Sequence, residues 1–205
     1  MQGKWEPNGQ WKIDAAAPPL SPHQRLESYF STGLSKSGRW HFRHGASLFL
    51  LGLISIWSAL ATFQAPPISL EALLILAGAV AFVSALGAGR FSDSALPLAL
   101  ALIPLATGAY LLGTPRPPDG PALELAAYFI ASGTATILLA AEHRRRPLPQ
   151  WEWLTVSGVT SLILALLLLA GLPGPYTWML GLLLGVHFMF GGSAFLALAL
   201  ADDAF

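Results

Sequence analysis

The sequence predicts an all-α fold: a polytopic membrane protein with six transmembrane helices, arranged as three tandem parallel helical hairpins. Three observations lead there. Of 205 residues, 54% are hydrophobic and only 11% charged, where a soluble domain carries about 25%. The charge is also unevenly spread: residues 45–65, 94–115, 153–170 and 175–201 contain no Asp, Glu, Lys or Arg. Each run approaches or exceeds the roughly 18–20 residues that cross a hydrocarbon core. Residues 68–89 and 121–141 complete the set of six, each with one glutamate near its start, Glu71 and Glu124.

The third observation is an internal repeat. Small–Gly–small triplets occur at 77–79 ("AGA"), 132–134 ("SGT") and 191–193 ("GGS"). Their central glycines, Gly78, Gly133 and Gly192, are 55 and 59 residues apart, and each follows a proline-containing turn. A two-helix unit returns to its starting side, so the repeats are parallel rather than inverted. Small residues let helix backbones approach closely in lipid, so these glycines are expected at helix contacts. Gly181 and Gly185 add a small-xxx-small pair to the last helix. Pro104, in mid-helix, removes one backbone hydrogen bond and is expected to kink the third span.

The connections alternate in charge. Ten of the eleven Lys and Arg fall in the N-terminal segment, the 90–93 turn and the 142–150 loop. "QAPP" (64–67), "GTPRPPDGP" (113–121) and "GLPGP" (171–175) hold only Arg116. The positive-inside rule then places both termini in the cytoplasm, as an even number of crossings also requires. Arg144, Arg145 and Arg146, with Trp151 and Trp153, read as an anchor at the inner interface and on anionic lipid.

Residues 1–40 form a separate cytoplasmic segment, and 41–205 the transmembrane domain. Within the segment, Ser21 and Gln24 make a capping box, with Pro22 at the first helical position. Leu26, Tyr29, Phe30 and Leu34 share one face, predicting a short interfacial helix over residues 22–34. The first twenty residues read as irregular. Their two tryptophans, Trp5 and Trp11, are candidates for binding a partner.

The pattern resembles the HdeD family of small bacterial inner-membrane proteins. The resemblance is closest in the third hairpin, where Trp151 or Trp153, Ser157, Gly158, Pro173, Gly181, Gly185 and Gly192 match family positions. It covers roughly residues 40–200. It implies a six-helix inner-membrane protein associated with acid resistance and stress response, and supplies no catalytic residue.

Few residues remain as candidates for chemistry. His187 lies in "GLLLGVHFMFGG" (181–192), opposite Gly181, Gly185 and Gly192 on the helix. It shares a stripe with Leu180, Leu184, Gly191 and Ala194, so small residues bring neighbours to both sides of the helix and the ring points into the bundle, where intramembrane ionisable groups are expected. Its repeat counterparts are Leu73 and Tyr128, so it is not one of three equivalent ligands. The plain reading is a neutral histidine hydrogen-bonded to an adjacent helix. A pH-responsive role follows from the titration of free imidazole at about pH 6.5. A third reading is an axial ligand to haem or a pigment, although nothing else suggests a cofactor. Glu71 and Glu124 sit in first turns, where the helix dipole favours an anion. Their alternative role is to take up protons in acid.

With no cysteine, disulfides and thiolate metal centres are excluded. No phosphate loop, nucleophile elbow or His-rich metal motif occurs, and no basic surface suited to nucleic acid. The expectation is thus a non-enzymatic protein without catalytic, metal or cofactor residues, whose environment is the lipid bilayer. A transporter or channel along the repeat axis is the second reading. An accessory subunit packed on a membrane-protein partner, or a homo-oligomer, is the third.

Overall fold

The computed structural model describes residues 3–5, 11–13, 36–62, 69–87, 95–114, 121–145, 151–172 and 178–201. The chain divides into two units, Met1–Gly33 and Leu34–Phe205. In the first, β1 (Gly3–Trp5) pairs antiparallel with β2 (Trp11–Ile13), in the register Gly3↔Ile13, Lys4↔Lys12, Trp5↔Trp11. This corrects the irregular reading of the first twenty residues and sets the two tryptophans opposite each other. Two three-residue strands are too short to show as a periodicity. The interfacial helix expected over 22–34 lies outside the described residues.

Among the described residues the second unit holds six helices, as expected: α1 (Lys36–Thr62), α2 (Leu70–Gly87), α3 (Leu96–Gly113), α4 (Ala122–Arg145), α5 (Trp151–Leu169) and α6 (Trp178–Ala201). The first begins at Lys36 rather than near residue 41. All but α2 are long and apolar enough to cross a membrane, and α2 holds a shorter apolar run, Leu70–Leu86. Even so, 18 residues at about 1.5 Å each give roughly 27 Å, close to a hydrocarbon core. The outward faces carry large apolar side chains, with Trp57 at 78% and Leu123 at 71% exposure. So much exposed apolar surface suits lipid and not water.

Local chemistry sets the helix ends. The Ser69 hydroxyl accepts from the Ala72 N–H (3.4 Å) at the start of α2, and Pro97 occupies the first turn of α3, where a missing N–H costs nothing. At the end of α5, Gly171 adopts φ +83°. Leu172 N–H donates to Leu167 O and Gly171 N–H to Leu168 O, both at 3.0 Å. This pair of bonds is a Schellman cap, which needs a left-handed residue and therefore glycine. α3 runs through Pro104 as one continuous helix.

Each helix packs on its neighbours in sequence, and α6 packs back on α1, so the six close into a ring. The seams alternate between close and loose. The extensive ones are α2–α3, α4–α5 and α6–α1, and those within each sequence hairpin are slighter. Glycine explains the difference. A Cβ placed on Gly192 would lie 2.7 Å from Gly45 O, and one on Gly45 would lie 2.7 Å from Gly192 O. Gly133 and Gly158 meet reciprocally at 2.9 Å, and Gly78 faces Ala101 O at 2.9 Å. Seven residues along, Gly52 and Gly185 repeat the contact at 2.8 and 2.9 Å. The triplet glycines are thus helix contacts as expected, each made to the first helix of the next hairpin rather than within its own.

Candidate functional site

The repeat register locates the centre of the ring. Five residues before the glycines Gly78, Gly133 and Gly192 stand Leu73, Tyr128 and His187, all buried. Two of these equivalents touch: Tyr128 Oη lies 3.0 Å from His187 Nε2. The opposite ring nitrogen, Nδ1, is 2.9 Å from Ser161 Oγ on α5. Ser161 already donates its proton to Ser157 O (2.9 Å), so it accepts from Nδ1–H. The neutral ring therefore carries its proton on Nδ1, and Nε2 accepts from the Tyr128 hydroxyl. Ser132 Oγ lies 3.5 Å from the same Nε2. One side chain thus joins α4, α5 and α6. Phe129 and Phe188 enclose it, with ring centroids 5.0 and 5.6 Å away.

The two remaining expectations for His187 separate here. An axial bond to haem or a pigment needs a free nitrogen and room for a macrocycle. Both nitrogens are engaged, and the adjoining cavity is about 40 Å³, so the residues do not fit such a group. A hydrogen-bonded ring on the bundle axis fits the first reading, with a proton-accepting nitrogen that leaves the pH-responsive one standing.

That cavity is lined by repeat-equivalent positions of all six helices. One level consists of Ala77, Ser132 and Gly191, and the next of Ala81, Thr136 and Phe195. The first helix of each hairpin adds His44, Leu100 and Ser157, the residues immediately before Gly45, Ala101 and Gly158. Leu48 and Pro104 stand one turn further along. Polar groups come from α1, α4, α5 and α6, while α2 and α3 present apolar ones.

His44 was missed by sequence reasoning, as were His41 and His143. His44 and His41 are buried at 4% and 2% exposure. His44 meets the Phe195 ring edge-on at 4.6 Å, and His41 lies 6.4 Å from the His143 ring. His143 Nδ1–H donates to Leu139 O (2.9 Å). The available signal was the register, since His44 aligns with Leu100 and Ser157.

The remaining candidates lie apart from this centre. Glu71 and Glu124 occupy the first turns of α2 and α4, as expected, and neither lines the cavity. Glu124 Oε2 is buried with no hydrogen-bond partner among the described residues. The Arg144 guanidinium sits over the Trp151 ring at 5.0 Å, a cation–π contact, and Trp153 is 50% exposed. Arg146 lies outside the described residues, and Arg145 closes α4. Gly185 and Gly192 are tight contacts, but a Cβ on Gly181 would make only ordinary contacts, with Ala59 at 3.5 Å and Ser55 at 4.0 Å. Gly181 instead offers its carbonyl to the Ser55 hydroxyl at 2.6 Å.

Fold and site define a helical multi-pass membrane protein built from glycine-paired helix units around a polar axis. Residues 122–170 match the family described as "Short repeat of unknown function (DUF308)", a repeat typical of HdeD-like membrane proteins. The matched stretch is α4, α5 and their connection: the Gly133–Gly158 pair. No curated protein matches the chain. No solved structure matches it either.

Proposed function

We propose that the protein is a non-enzymatic integral membrane protein of the HdeD type, supporting tolerance of acid or envelope stress. Its place is the bacterial inner membrane, with both termini cytoplasmic. The observation that carries this reading is the buried His187 node. Tyr128 and Ser161 satisfy the neutral ring, and no carboxylate lines the cavity beside it. A second proton would place an uncompensated charge among three helices, a costly event inside a bilayer. The bundle is thereby coupled to acidity through one residue. The DUF308 match to α4–α5 supports the family assignment. The test is survival of the native bacterium after acid challenge. Loss of the protein should lower survival, with rescue by the wild-type chain and weaker rescue by His187→Gln. Unchanged survival without the protein would overturn the reading.

A transporter or channel is the second reading, favoured by a cavity lined from all six helices on the repeat axis. Large buried side chains such as Leu74, Leu125, Phe129 and Leu184 fill the core of the bundle, which weighs against a continuous path. Ion current across a planar bilayer containing the purified protein would establish transport, and a silent bilayer would leave the first reading in place.

A further inference from the structure

We propose that the axial cavity is a hydrated half-channel that brings protons to His187 from one end of the bundle only, the end where α1 begins and α6 finishes. The inference rests on the reading of His187 as the acid-responsive group and adds the route by which protons reach it.

The cavity has room for water and partners to hold it. Its volume of about 40 Å³ exceeds the roughly 10–15 Å³ that one water needs. Ser132, Thr136, Ser157 and His44 line it. Thr136 donates its proton to Ser132 O at 2.8 Å, which leaves its oxygen able to accept. Pro104, also in the lining, has no N–H to give to the Leu100 carbonyl one turn earlier. A bound water needs two to four such polar partners.

The polar groups that line the cavity lie toward the basic end from His187; on the other side the buried Ser55 hydroxyl is engaged, donating to Gly181 O at 2.6 Å. From Tyr128, Ser132 and Thr136 follow at one-turn intervals along α4 toward the basic end. His44 lines the same cavity from α1, with His41 and His143 beyond it. In the opposite direction stand Leu70, Leu125, Leu180 and Leu184, none more than 7% exposed. A close-packed apolar layer of this kind stays dry. At the basic end, residues 96–100 of α3 are only half-buried, which leaves a looser rim.

The titratable groups facing the cavity are Tyr128 from α4 and His44 from α1; α2, α3 and α5 present none. In the transfer, a hydronium ion in the cavity gives one proton to His187 Nε2 and becomes water. The new Nε2–H donates to Tyr128 Oη, whose own proton turns toward Ser132 Oγ. The Nδ1–H bond to Ser161 is kept, and the ring gains one positive charge.

The experiment uses the full chain in liposomes, sorted to one orientation through a tag at Phe205. Infrared difference spectra record the imidazolium band, assigned to His187 by its absence in His187→Gln. A jump from about pH 7.5 to about pH 4 at the basic end should raise the band at once, since burial disfavours the charged ring. The same jump at the opposite end should raise it only after a protonophore is added. Thr136→Leu should slow the basic-end response by an order of magnitude. Ala81→Leu, at the same level on α2, serves if that variant does not fold. A prompt response from the opposite end overturns the half-channel while leaving His187 acid-responsive. No band even with protonophore overturns both, independently of cell survival.

Discussion

Removing the Tyr128 hydroxyl leaves His187 Nε2 with Ser132 alone, 3.5 Å away. Tyr128→Phe should therefore lower thermal stability in detergent by about 1–3 kcal/mol, the usual cost of orphaning a buried polar group. Ser161→Ala should cost a similar amount, because Nδ1–H loses its acceptor. Thr160→Ala is the control: its hydroxyl only bonds back to Val156 O in an exposed position, so its change should stay within about 0.5 kcal/mol. Equal melting temperatures for all three would remove the node from the stability of the bundle. Acid gives a second test. The wild type should lose stability between about pH 7.5 and about pH 5, since the neutral ring is the form the node satisfies, whereas His187→Gln keeps a hydrogen-bonding group that does not titrate. Parallel losses would transfer the acid response to Glu71, Glu124 or the His41–His44–His143 group. At this scale the sequence was legible in part. The glycine register turned His187 inward and named Tyr128 as its counterpart. It did not show that equivalents meet, because contact across an axis depends on how the ring closes.

Helix pairs, rather than single helices, are the packing elements, and glycine spacing decides which pairs form. Gly192→Leu and Gly133→Leu should destabilise the bundle strongly: even a Cβ would come 2.5 Å from Phe49 N and 2.9 Å from Gly158 O respectively. Overpacking of this kind costs about 1–3 kcal/mol or more. Leu167→Gly, at a position 36% exposed, should cost less. The finer comparison lies within α6, where Gly181→Ala should be tolerated and Gly185→Ala should not, since its Cβ would meet Ile56 at 2.6 Å and Gly52 O at 2.9 Å. Matching thermal stabilities for these two alanine variants would end the argument that backbone approach selects glycine there. The sequence disclosed the triplets but not their partners. A glycine marks a close approach without saying which helix makes it. The seam glycines of the first helices, Gly45 and Gly52, were legible only once α6 was laid beside α1.

At the scale of the whole molecule, hydropathy and charge carried most of the fold. The six helices were readable because lipid excludes charge from the segments it surrounds, leaving long uncharged runs in the sequence. The N-terminal hairpin was not, since two strands of three residues leave too little pattern. The orientation remains a prediction. A reporter fused at Phe205 that is active only in the cytoplasm should give signal, and one active only outside should stay silent. The reverse result would invert the molecule and reverse which compartment the half-channel faces.

Closure of the ring through α6 and α1 has a consequence for biosynthesis. α2–α3 and α4–α5 are each made from consecutive helices and can pair as they leave the ribosome, but the third pair joins the first helix to the last. Until α6 is inserted, the glycine face of α1 has no intramolecular partner, and a chain cut short before Trp178 can never supply one. A truncated product should thus be cleared by membrane proteolysis, and co-expressing residues 174–205 in trans should restore it. Crowded nascent chains face a further choice: α6 of one can seat on α1 of another, yielding a dimer by exchange of identical elements.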